Sequence, residues 1–307
     1  MYNEHIIKSK DLFDLRSICW DITSRCNEQC GFCYRNVQAT DLDYESNVII
    51  LKKLLDFGVS KISFVGGEPL LYPHLFDLVK WARTYDKHKR TLYSITTNAT
   101  LLATVEENNL VINEKLLGEV FEHFDWITFS LDAPNNELQH IMGRNQQHYT
   151  RVQGILKYLK DNNVKNKIKI NTVVSKININ SMEELYYDLV NYNVKRWKIF
   201  RFLPSRGNAL NLKDKYFIDE KQYQDAVQKV LLINKQIEKR KQMKITVNGF
   251  DSFNNSYITI SSEGKLVVYD GEKYNNVLSL LTEDISRIFL YVDVNKHQNL
   301  RSEFVNL

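Results

Sequence analysis

The chain alternates short apolar segments with longer amphipathic ones, and this alternation constrains its fold more than any other feature. The short segments are typical of strands, and the longer ones space apolar residues three or four positions apart, as helices do. Such an order predicts a parallel sheet with helical crossovers. We predict strands at 17–22, 61–65, 92–97, 126–131, 168–174 and 196–202, and helices at 46–57, 75–85, 114–124, 152–162, 182–192 and 220–239.

Six strand–helix units fit a partial TIM-like (β/α)6 barrel of the α/β class. A doubly wound open sheet is the alternative, because one sequence does not reveal the order of its strands. Residues beyond about 240 follow another pattern, in which 257–268 is typical of a β-hairpin. We therefore predict a core domain over residues 1–240 and a C-terminal extension with a hairpin over 241–307.

All four cysteines lie in one early stretch, and three of them form a C-x3-C-x2-C pattern at Cys26, Cys30 and Cys33. Disulfide frameworks spread their cysteines along the chain, whereas clustered thiols indicate a metal centre. Structural zinc takes four ligands. Cys19 lies in an apolar strand segment, where we expect it to pack as a small buried hydrophobe. Three thiols therefore favour an iron–sulfur cluster over zinc.

The composition excludes an intrinsically disordered chain, a collagen-like chain and a small protein stabilised by disulfides. The chain is 43% hydrophobic and 25% charged, which is ordinary for a globular protein. No apolar run reaches the roughly 18 residues of a membrane helix, and the first ten residues contain no signal-peptide core. A net charge of +4 does not specify nucleic acid. We expect a cytoplasmic protein with no membrane contact and no clear nucleic-acid binding.

Polar segments follow the first four predicted strands, at the ends where barrel enzymes place their active sites. The cysteine loop follows the first strand, and Gly66-Gly67-Glu68-Pro69 follows the second. Thr96-Thr97-Asn98 closes the third strand, and Ser130 and Asp132 close the fourth. Paired glycines let a main chain approach a ligand closely. This agreement between motif and position predicts one site at the carboxyl ends of the strands.

The fifth and sixth strands carry cations at alternate positions, although strands covered by helices are expected to be apolar on both faces. If the isoleucines and Trp197 face the helices, then Lys169, Asn171, Arg196 and Lys198 face the barrel interior. Cations in a cavity predict an anionic ligand, for which phosphate groups are natural candidates. Lys167 and Arg196 are alternatively exposed at the starts of their strands.

The C-x3-C-x2-C loop, with Phe32 before its third cysteine, resembles the radical S-adenosylmethionine (SAM) superfamily. The resemblance implies a [4Fe-4S] cluster held by Cys26, Cys30 and Cys33, with one iron open to SAM. It also implies that one electron cleaves SAM to methionine and a 5′-deoxyadenosyl radical, which abstracts hydrogen from a substrate. That electron requires a donor such as flavodoxin or ferredoxin. The partial barrel is the fold that this resemblance implies.

The resemblance also assigns residues to the SAM site. Gly66-Gly67-Glu68 is similar to the family's GGE motif, whose backbone and acid receive the SAM amino group. An arginine on the SAM carboxylate can form a bidentate pair. The other implied contacts are Phe32 near the adenine, Ser130 at the ribose, Thr96 and Asn98 as polar side chains, and Arg144 at the carboxylate.

Two segments resemble a particular branch, the viperin-like nucleotide dehydratases. These are Lys169-Ile170-Asn171-Thr172-Val173-Val174 and Arg196-Trp197-Lys198-Ile199-Phe200, within a resemblance that covers roughly residues 17–205. Viperin-like enzymes convert a nucleoside triphosphate to its 3′-deoxy-3′,4′-didehydro form. Their lysine, asparagine and arginine at these positions hold the triphosphate. Lys169, Asn171, Arg196 and Lys198 are therefore implied to bind an anionic substrate.

The segments 131–134 and 204–209 are of the more general radical SAM type. A radical SAM enzyme that modifies a peptide or protein, as RiPP-type maturases do, or another small molecule is therefore the alternative. The chain has no cysteine beyond residue 240, which argues against the auxiliary clusters of many peptide-modifying members. Tyr257 and Tyr269, near the predicted hairpin, are candidates for a proton donor.

Overall fold

The computed structural model describes residues 15–35, 38–87, 91–107, 109–164, 167–192 and 194–300, without the side chain of Lys167. The N-terminal segment predicted to lack a signal peptide, and the predicted exposure of Lys167, lie outside the described part. Twelve strands are described: β1 Ile18–Thr23, β2 Lys61–Gly66, β3 Leu92–Thr97, β4 Ala103–Glu106, β5 Asn109–Ile112, β6 Trp126–Ser130, β7 Lys167–Val174, β8 Arg196–Arg201, β9 Lys244–Asn248, β10 Thr259–Ile260, β11 Lys265–Tyr269 and β12 Tyr274–Ser279.

Ten α-helices lie between and after these strands in the described part of the chain. The first begins at the cap of Asp43, whose side chain accepts from Ser46 N at 2.8 Å, and ends at Gly58 with φ +87°, as predicted. The helices are α1 Tyr44–Phe57, α2 Leu75–Tyr85, α3 Glu114–His123, α4 Asn136–Ile141, α5 His148–Asp161, α6 Met182–Asn191, α7 Gly207–Asn211, α8 Lys213–Tyr216, α9 Glu220–Gln236 and α10 Val294–Leu300.

The order of the strands decides between the two predicted architectures. The main sheet runs β12-β11-β10-β1-β2-β3-β6-β7-β8-β9, and all its pairs from β10 to β9 are parallel. Each crossover from β1 to β9 therefore moves in the same direction along the sheet. Because crossovers are right-handed, successive helices lie on one face and the sheet curls around the other. The partial (β/α)6 barrel is confirmed, and the doubly wound alternative is wrong.

Residues beyond 240 extend this sheet at both edges. β9 adds a parallel strand beside β8, and β10 pairs in parallel with β1. The predicted hairpin is present, since β10 and β11 pair antiparallel, and β12 then pairs antiparallel with β11. Residues on both sides of position 240 thus share one sheet, and the division into two domains stays a prediction. A separate two-stranded sheet, β4 with β5, was not predicted.

The two faces of the sheet meet different surroundings. In β1, Ile18, Trp20 and Ile22 are at most 1% exposed within the core beneath the helices, whereas Cys19 and Asp21 face the interior. The sheet departs from the general pattern of helix-covered strands that are apolar on both faces, because its inner face surrounds a cavity. Interior side chains on the other strands include Ser63, Ser94, Thr96, Thr128, Ser130, Lys169 and Lys198. Within the described residues, every helix is too short or too polar to cross a bilayer.

Candidate active site

One cavity, called here the barrel cavity, extends from the loop after β1 into the interior of the sheet. It opens at the carboxyl ends of the parallel strands, where such folds place their ligands, and reaches towards their starts, since Lys61, the first residue of β2, also lines it. Glu68 and Arg196 are not part of its lining. The predicted site residues that do line it are Cys26, Cys30, Phe32, Cys33, Gly66, Gly67, Thr96, Asn98, Ser130, Arg144, Lys169, Asn171 and Lys198.

The three motif cysteines lie in the loop after β1 as free thiols. Cys33 N donates to Cys30 O at 3.2 Å, which turns the chain tightly between them. Asn98 Nδ2 lies 3.7 Å from Cys26 Sγ, so the end of β3 approaches the loop. Burial raises the pKa of all three thiols. Their thiolate form therefore requires compensating positive charge nearby, which iron supplies.

The donor set of this loop fits a four-iron cluster better than a single ion. Among the residues that the structure describes, no three His, Cys, Asp or Glu side chains converge closely enough to ligate one metal ion. A cluster binds each thiolate through a different iron, so it accepts thiols that lie farther apart. Cys26, Cys30 and Cys33 would hold this cluster, and one-electron reduction is the chemistry that it supplies when bound.

The two glycines at the end of β2 pack against the cysteine loop. Gly67 N donates to Thr23 O at 2.8 Å, and Glu68 N donates to Arg25 O at 2.8 Å. A Cβ at Gly67 would lie 1.9 Å from Arg25 O, and Gly66 adopts φ +124°. The glycines are thus required where two backbone segments meet at the cavity. Their predicted contact with SAM stays a prediction.

Glu68 is 1% exposed and lies behind the cavity lining. Its carboxylate accepts hydrogen bonds from Thr97 Oγ1 and Asn98 N, both at 2.7 Å, and from Leu70 N at 3.2 Å. Burial nevertheless raises the pKa of Glu68 to about 7. In this arrangement Glu68 joins the ends of β2 and β3 beneath the site, and its predicted contact with the SAM amino group stays untested.

Glu68 should make stability depend on pH. Its folded-state pKa, about 7, exceeds the ordinary value of 4.5, so its contribution to stability is fully present below pH 4.5 and is lost as pH rises through 7. We expect the free energy of unfolding of the wild type, minus that of Glu68→Gln, to fall over this range by up to about 1.4 kcal/mol per pH unit. Urea unfolding of both proteins at several pH values measures this difference. A difference that stays flat or rises with pH would contradict the shift.

Arg144 joins two buried carboxylates at the rim of the cysteine loop. Its Nη1 donates to Glu28 Oε2 at 2.9 Å, while Nε and Nη2 donate to Asp132 Oδ2 at 3.0 and 2.9 Å. His148 Nδ1 lies 3.2 Å from Glu28 Oε1, and His148 Nε2 lies 2.7 Å from Ser130 O. Burial alone would raise the pKa of Glu28, but His148 and Arg144 hold it well below its usual value. This network fixes the loop between Cys26 and Cys30 to the end of β6.

Loss of Arg144 should destabilise the protein strongly, because two buried carboxylates would remain without their cation. We expect Arg144→Met to lower the free energy of unfolding by about 3–5 kcal/mol, as measured by urea unfolding. Lys157→Met is the matched control, since Lys157 pairs with Asp161 on an exposed helix face. Equal effects of the two substitutions would show that the buried network contributes no more than a surface ion pair.

Three of the four side chains predicted to bind an anion line the barrel cavity, and the fourth does not. Lys169, Asn171 and Lys198 face the barrel cavity, and Lys198 Nζ makes a short hydrogen-bonding contact with Tyr257 Oη. Arg196 instead places its guanidinium 4.3 Å from the centre of the Trp126 ring, outside the cavity lining. Tyr257 also lines the cavity, whereas Tyr269 lies outside the lining and donates to Gly271 O at 2.9 Å.

Several cavity residues were missed by sequence reasoning. Lys61, 6% exposed, shares the inward parity of Ser63, a signal that could have found it. Asn248 also lines the cavity, although it lies beyond the predicted core domain. Cys19 is partly exposed to this cavity, so the expectation that it packs as a buried hydrophobe is wrong. No sequence signal placed Asn248, because its strand was not predicted.

A partial (β/α)6 barrel with three clustered cysteines beside a cavity at its carboxyl end defines a class of iron–sulfur enzymes that generate radicals. The model of the family described as the radical SAM superfamily matches residues 20–189. The chain therefore belongs to the radical SAM superfamily, and this membership implies a [4Fe-4S] cluster and SAM as cofactors.

The similarity to curated relatives extends beyond the residues that the family model matches. An S-adenosylmethionine-dependent nucleotide dehydratase of Flammeovirga pacifica is 29% identical over 269 residues, which cover 81% of each chain. A protein of the same name from Lacinutrix mariniflava is 24% identical over 99% of this chain. This chain spans 64% of the length of the Lacinutrix protein.

Solved structures share the fold at lower sequence identity. Native anSMEcpe with bound AdoMet and the Cp18Cys peptide superposes with a TM-score of 0.68 and 17% identity. The match covers 95% of this chain and 83% of that protein. Such a likeness establishes the arrangement of strands and helices and carries nothing about the substrate.

Proposed function

We propose that this radical SAM enzyme dehydrates a nucleoside triphosphate to its 3′-deoxy-3′,4′-didehydro form. The observation that carries the proposal is the position of Lys169 and Lys198 in the same cavity as the cysteine loop. Relatives named nucleotide dehydratases support the reaction class. The substrate would lose one hydrogen atom to the 5′-deoxyadenosyl radical, which becomes 5′-deoxyadenosine. The hydroxyl group of the substrate radical would then take up a proton and leave as water, and one further electron from the reductant would complete the product, which is lighter by one water.

The charges of the barrel cavity favour an anionic substrate. Lys61, Lys169 and Lys198 enter it from β2, β7 and β8, so the cations surround the interior instead of lying on one strand. Three carboxylates also line it. Arg144 lies between Glu28 and Asp132 and offsets one of their two charges. Arg206 Nη2 lies 3.8 Å from Asp21 Oδ2 and offsets the third. A low-dielectric wall strengthens the attraction between lysines and phosphate groups. A triphosphate carries enough charge to engage several of these lysines together.

Tyr257 is the proton donor that we favour over Tyr269. Tyr257 lines the cavity and its Oη contacts the ammonium of Lys198, so it lies beside the proposed triphosphate site. Tyr269 lies outside the cavity lining and uses its hydroxyl group on Gly271 O.

The test is anaerobic cleavage of SAM by the protein with its cluster reconstituted. With dithionite as reductant, 5′-deoxyadenosine is quantified with and without each of the nucleoside triphosphates. We expect one triphosphate to stimulate its formation strongly and to yield a product that is lighter by one water. The matching unphosphorylated nucleoside is the control, because it lacks the groups that the lysines would bind.

Slow cleavage that no nucleotide changes would contradict the dehydratase proposal and leave membership of the superfamily intact. The search would then move to peptides and other small molecules. The physiological electron donor, such as flavodoxin or ferredoxin, is a further part of the proposal. Replacement of dithionite by a reduced flavodoxin or ferredoxin in the same assay tests it, and no 5′-deoxyadenosine with either protein would contradict it.

A further inference from the structure

A side-chain amide lies against one sulfur of the cysteine loop. Asn98, immediately after β3, is 5% exposed, and its Nδ2 donates a hydrogen bond to Cys26 Sγ at 3.7 Å. The backbone N of Glu28 donates to the same sulfur at 3.4 Å. Cys26 Sγ therefore accepts N–H groups from two separate segments of the chain.

Thr100 fixes which end of the Asn98 amide faces this sulfur. Thr100 N donates to Asn98 Oδ1 at 3.0 Å, and Thr100 Oγ1 donates to the same oxygen at 2.6 Å. Because a backbone N–H can only donate, the amide atom beside it must be the oxygen. The NH2 group of Asn98 is thereby directed towards Cys26.

Asn27 closes a ring of hydrogen bonds with these two side chains. Asn98 Nδ2 donates to Asn27 Oδ1 at 2.9 Å, and Asn27 Nδ2 donates to Thr100 Oγ1 at 2.6 Å. Asn98 thus uses both donor hydrogens and accepts two hydrogen bonds, which is the full capacity of an amide. The ring holds a preformed N–H donor at the sulfur.

Hydrogen bonds to the ligand sulfurs are one of the features that set the reduction potential of an iron–sulfur cluster. Reduction adds one negative charge to the cluster, and the ligand sulfurs carry part of it. A donor at a ligand sulfur therefore stabilises the reduced state more than the oxidised state, and the potential rises.

We infer that Asn98 raises the reduction potential of the cluster through its hydrogen bond to Cys26, and that Asn27 and Thr100 are positioning residues that hold its amide. A higher potential lets a weaker reductant supply the electron that cleaves SAM. The inference requires the cluster and not the nucleotide, so it stands or falls independently of the proposed substrate.

The test is a potentiometric titration of the reconstituted protein, in which electron paramagnetic resonance detects the reduced cluster. The titration is made without SAM, so that no contact with SAM contributes to the potential. We expect Asn98→Leu to lower the equilibrium constant for one-electron reduction by about tenfold, which corresponds to about 59 mV.

Variants of Thr100 test the ring without removing the donor. Thr100→Val should lower the potential by less than Asn98→Leu does, because the backbone N of residue 100 still holds Asn98 Oδ1. Thr100→Ser keeps the hydroxyl group and should retain the wild-type potential. Asn47→Leu is the matched control, since Asn47 is 1% exposed and donates to Tyr72 Oη at 2.8 Å outside the cavity lining. Its potential should equal that of the wild type.

Two results would overturn the inference. The first is a wild-type potential in Asn98→Leu with wild-type iron and sulfide content, even where the variant binds SAM more weakly, because Asn98 would then act on SAM and not on the sulfur. If Asn98→Leu does not retain its cluster, the Thr100 variants decide, and equal potentials in Thr100→Val and Thr100→Ser are the second. Failure of nucleotides to stimulate SAM cleavage would overturn the dehydratase proposal and leave this inference in place.

Discussion

Cys30→Ala is expected to abolish SAM cleavage. Cys30 is one of three thiols in the loop after β1, and it is the most buried of them. A four-iron cluster that leaves one iron open for SAM depends on all three thiolates, so loss of one removes a ligand that no other cysteine replaces. We expect 5′-deoxyadenosine to fall below detection and the iron and sulfide content of the reconstituted protein to drop. Chemical analysis of iron and sulfide, beside chromatography of the nucleoside, measures both effects.

Cys19→Ala is the matched control for this substitution. Cys19 faces the same cavity from β1 but lies outside the C-x3-C-x2-C pattern. Its alanine variant should retain the iron and sulfide content of the wild type. Normal 5′-deoxyadenosine production by Cys30→Ala would refute the assignment of the cluster to this loop.

Lys169→Ala is expected to weaken binding of the anionic substrate while leaving SAM binding intact. Lys169 lies on β7 within the cavity, next to Thr128 of β6 in the register of the sheet. Hydrogen bonds to charged groups contribute about 1.5–3 kcal/mol, which corresponds to a loss of affinity of roughly 10- to 100-fold. The concentration of nucleoside triphosphate that gives half-maximal 5′-deoxyadenosine formation should rise by this factor. Calorimetric titration with SAM should give the wild-type affinity.

Arg196→Ala is the informative comparison for Lys169→Ala. Arg196 is the register partner of Lys169 on the neighbouring strand, but it packs on Trp126 outside the cavity lining. From that position we expect a change in substrate affinity below about threefold, since no charge contact with the substrate is lost. A large effect at Arg196 with none at Lys169 would contradict the assignment of the interior cation and would favour the arginine that the family resemblance implied.

The main elements of the fold were predictable because local patterns specify them. Amphipathic spacing and a glycine stop identified α1 with its end at Phe57, and apolar runs identified the strands β1 to β3. Strand β9 escaped prediction for a physical reason. Its first residue is exposed and the next three are only partly buried, so it lacks the sustained pattern that marks a strand. Its pairing with β8 is what orders it.

The residues of the site also divide into those that the sequence predicted and those that only the structure revealed. The cysteine motif, the glycine pair and the inward lysines follow from spacing and strand parity, and the structure brings them to one cavity. The network of Glu28 with Arg144 and His148 joins residues more than a hundred positions apart, which no spacing rule connects. Arg196 has the same parity as Lys198, but its guanidinium packs on the Trp126 ring and lies outside the cavity lining.

The sequence by itself indicated the superfamily, the alternation of the main strands and helices along the chain and three candidate cluster ligands, because each depends on residues that are near neighbours in the chain. Only the tertiary structure decided which polar side chains share the cavity, that Glu68 lies behind it, and that a strand beyond residue 240 contributes Asn248. These features depend on how far each strand extends and on which strand lies beside it. Burial and hydrogen bonding across the whole sheet fix both, and no local segment encodes them.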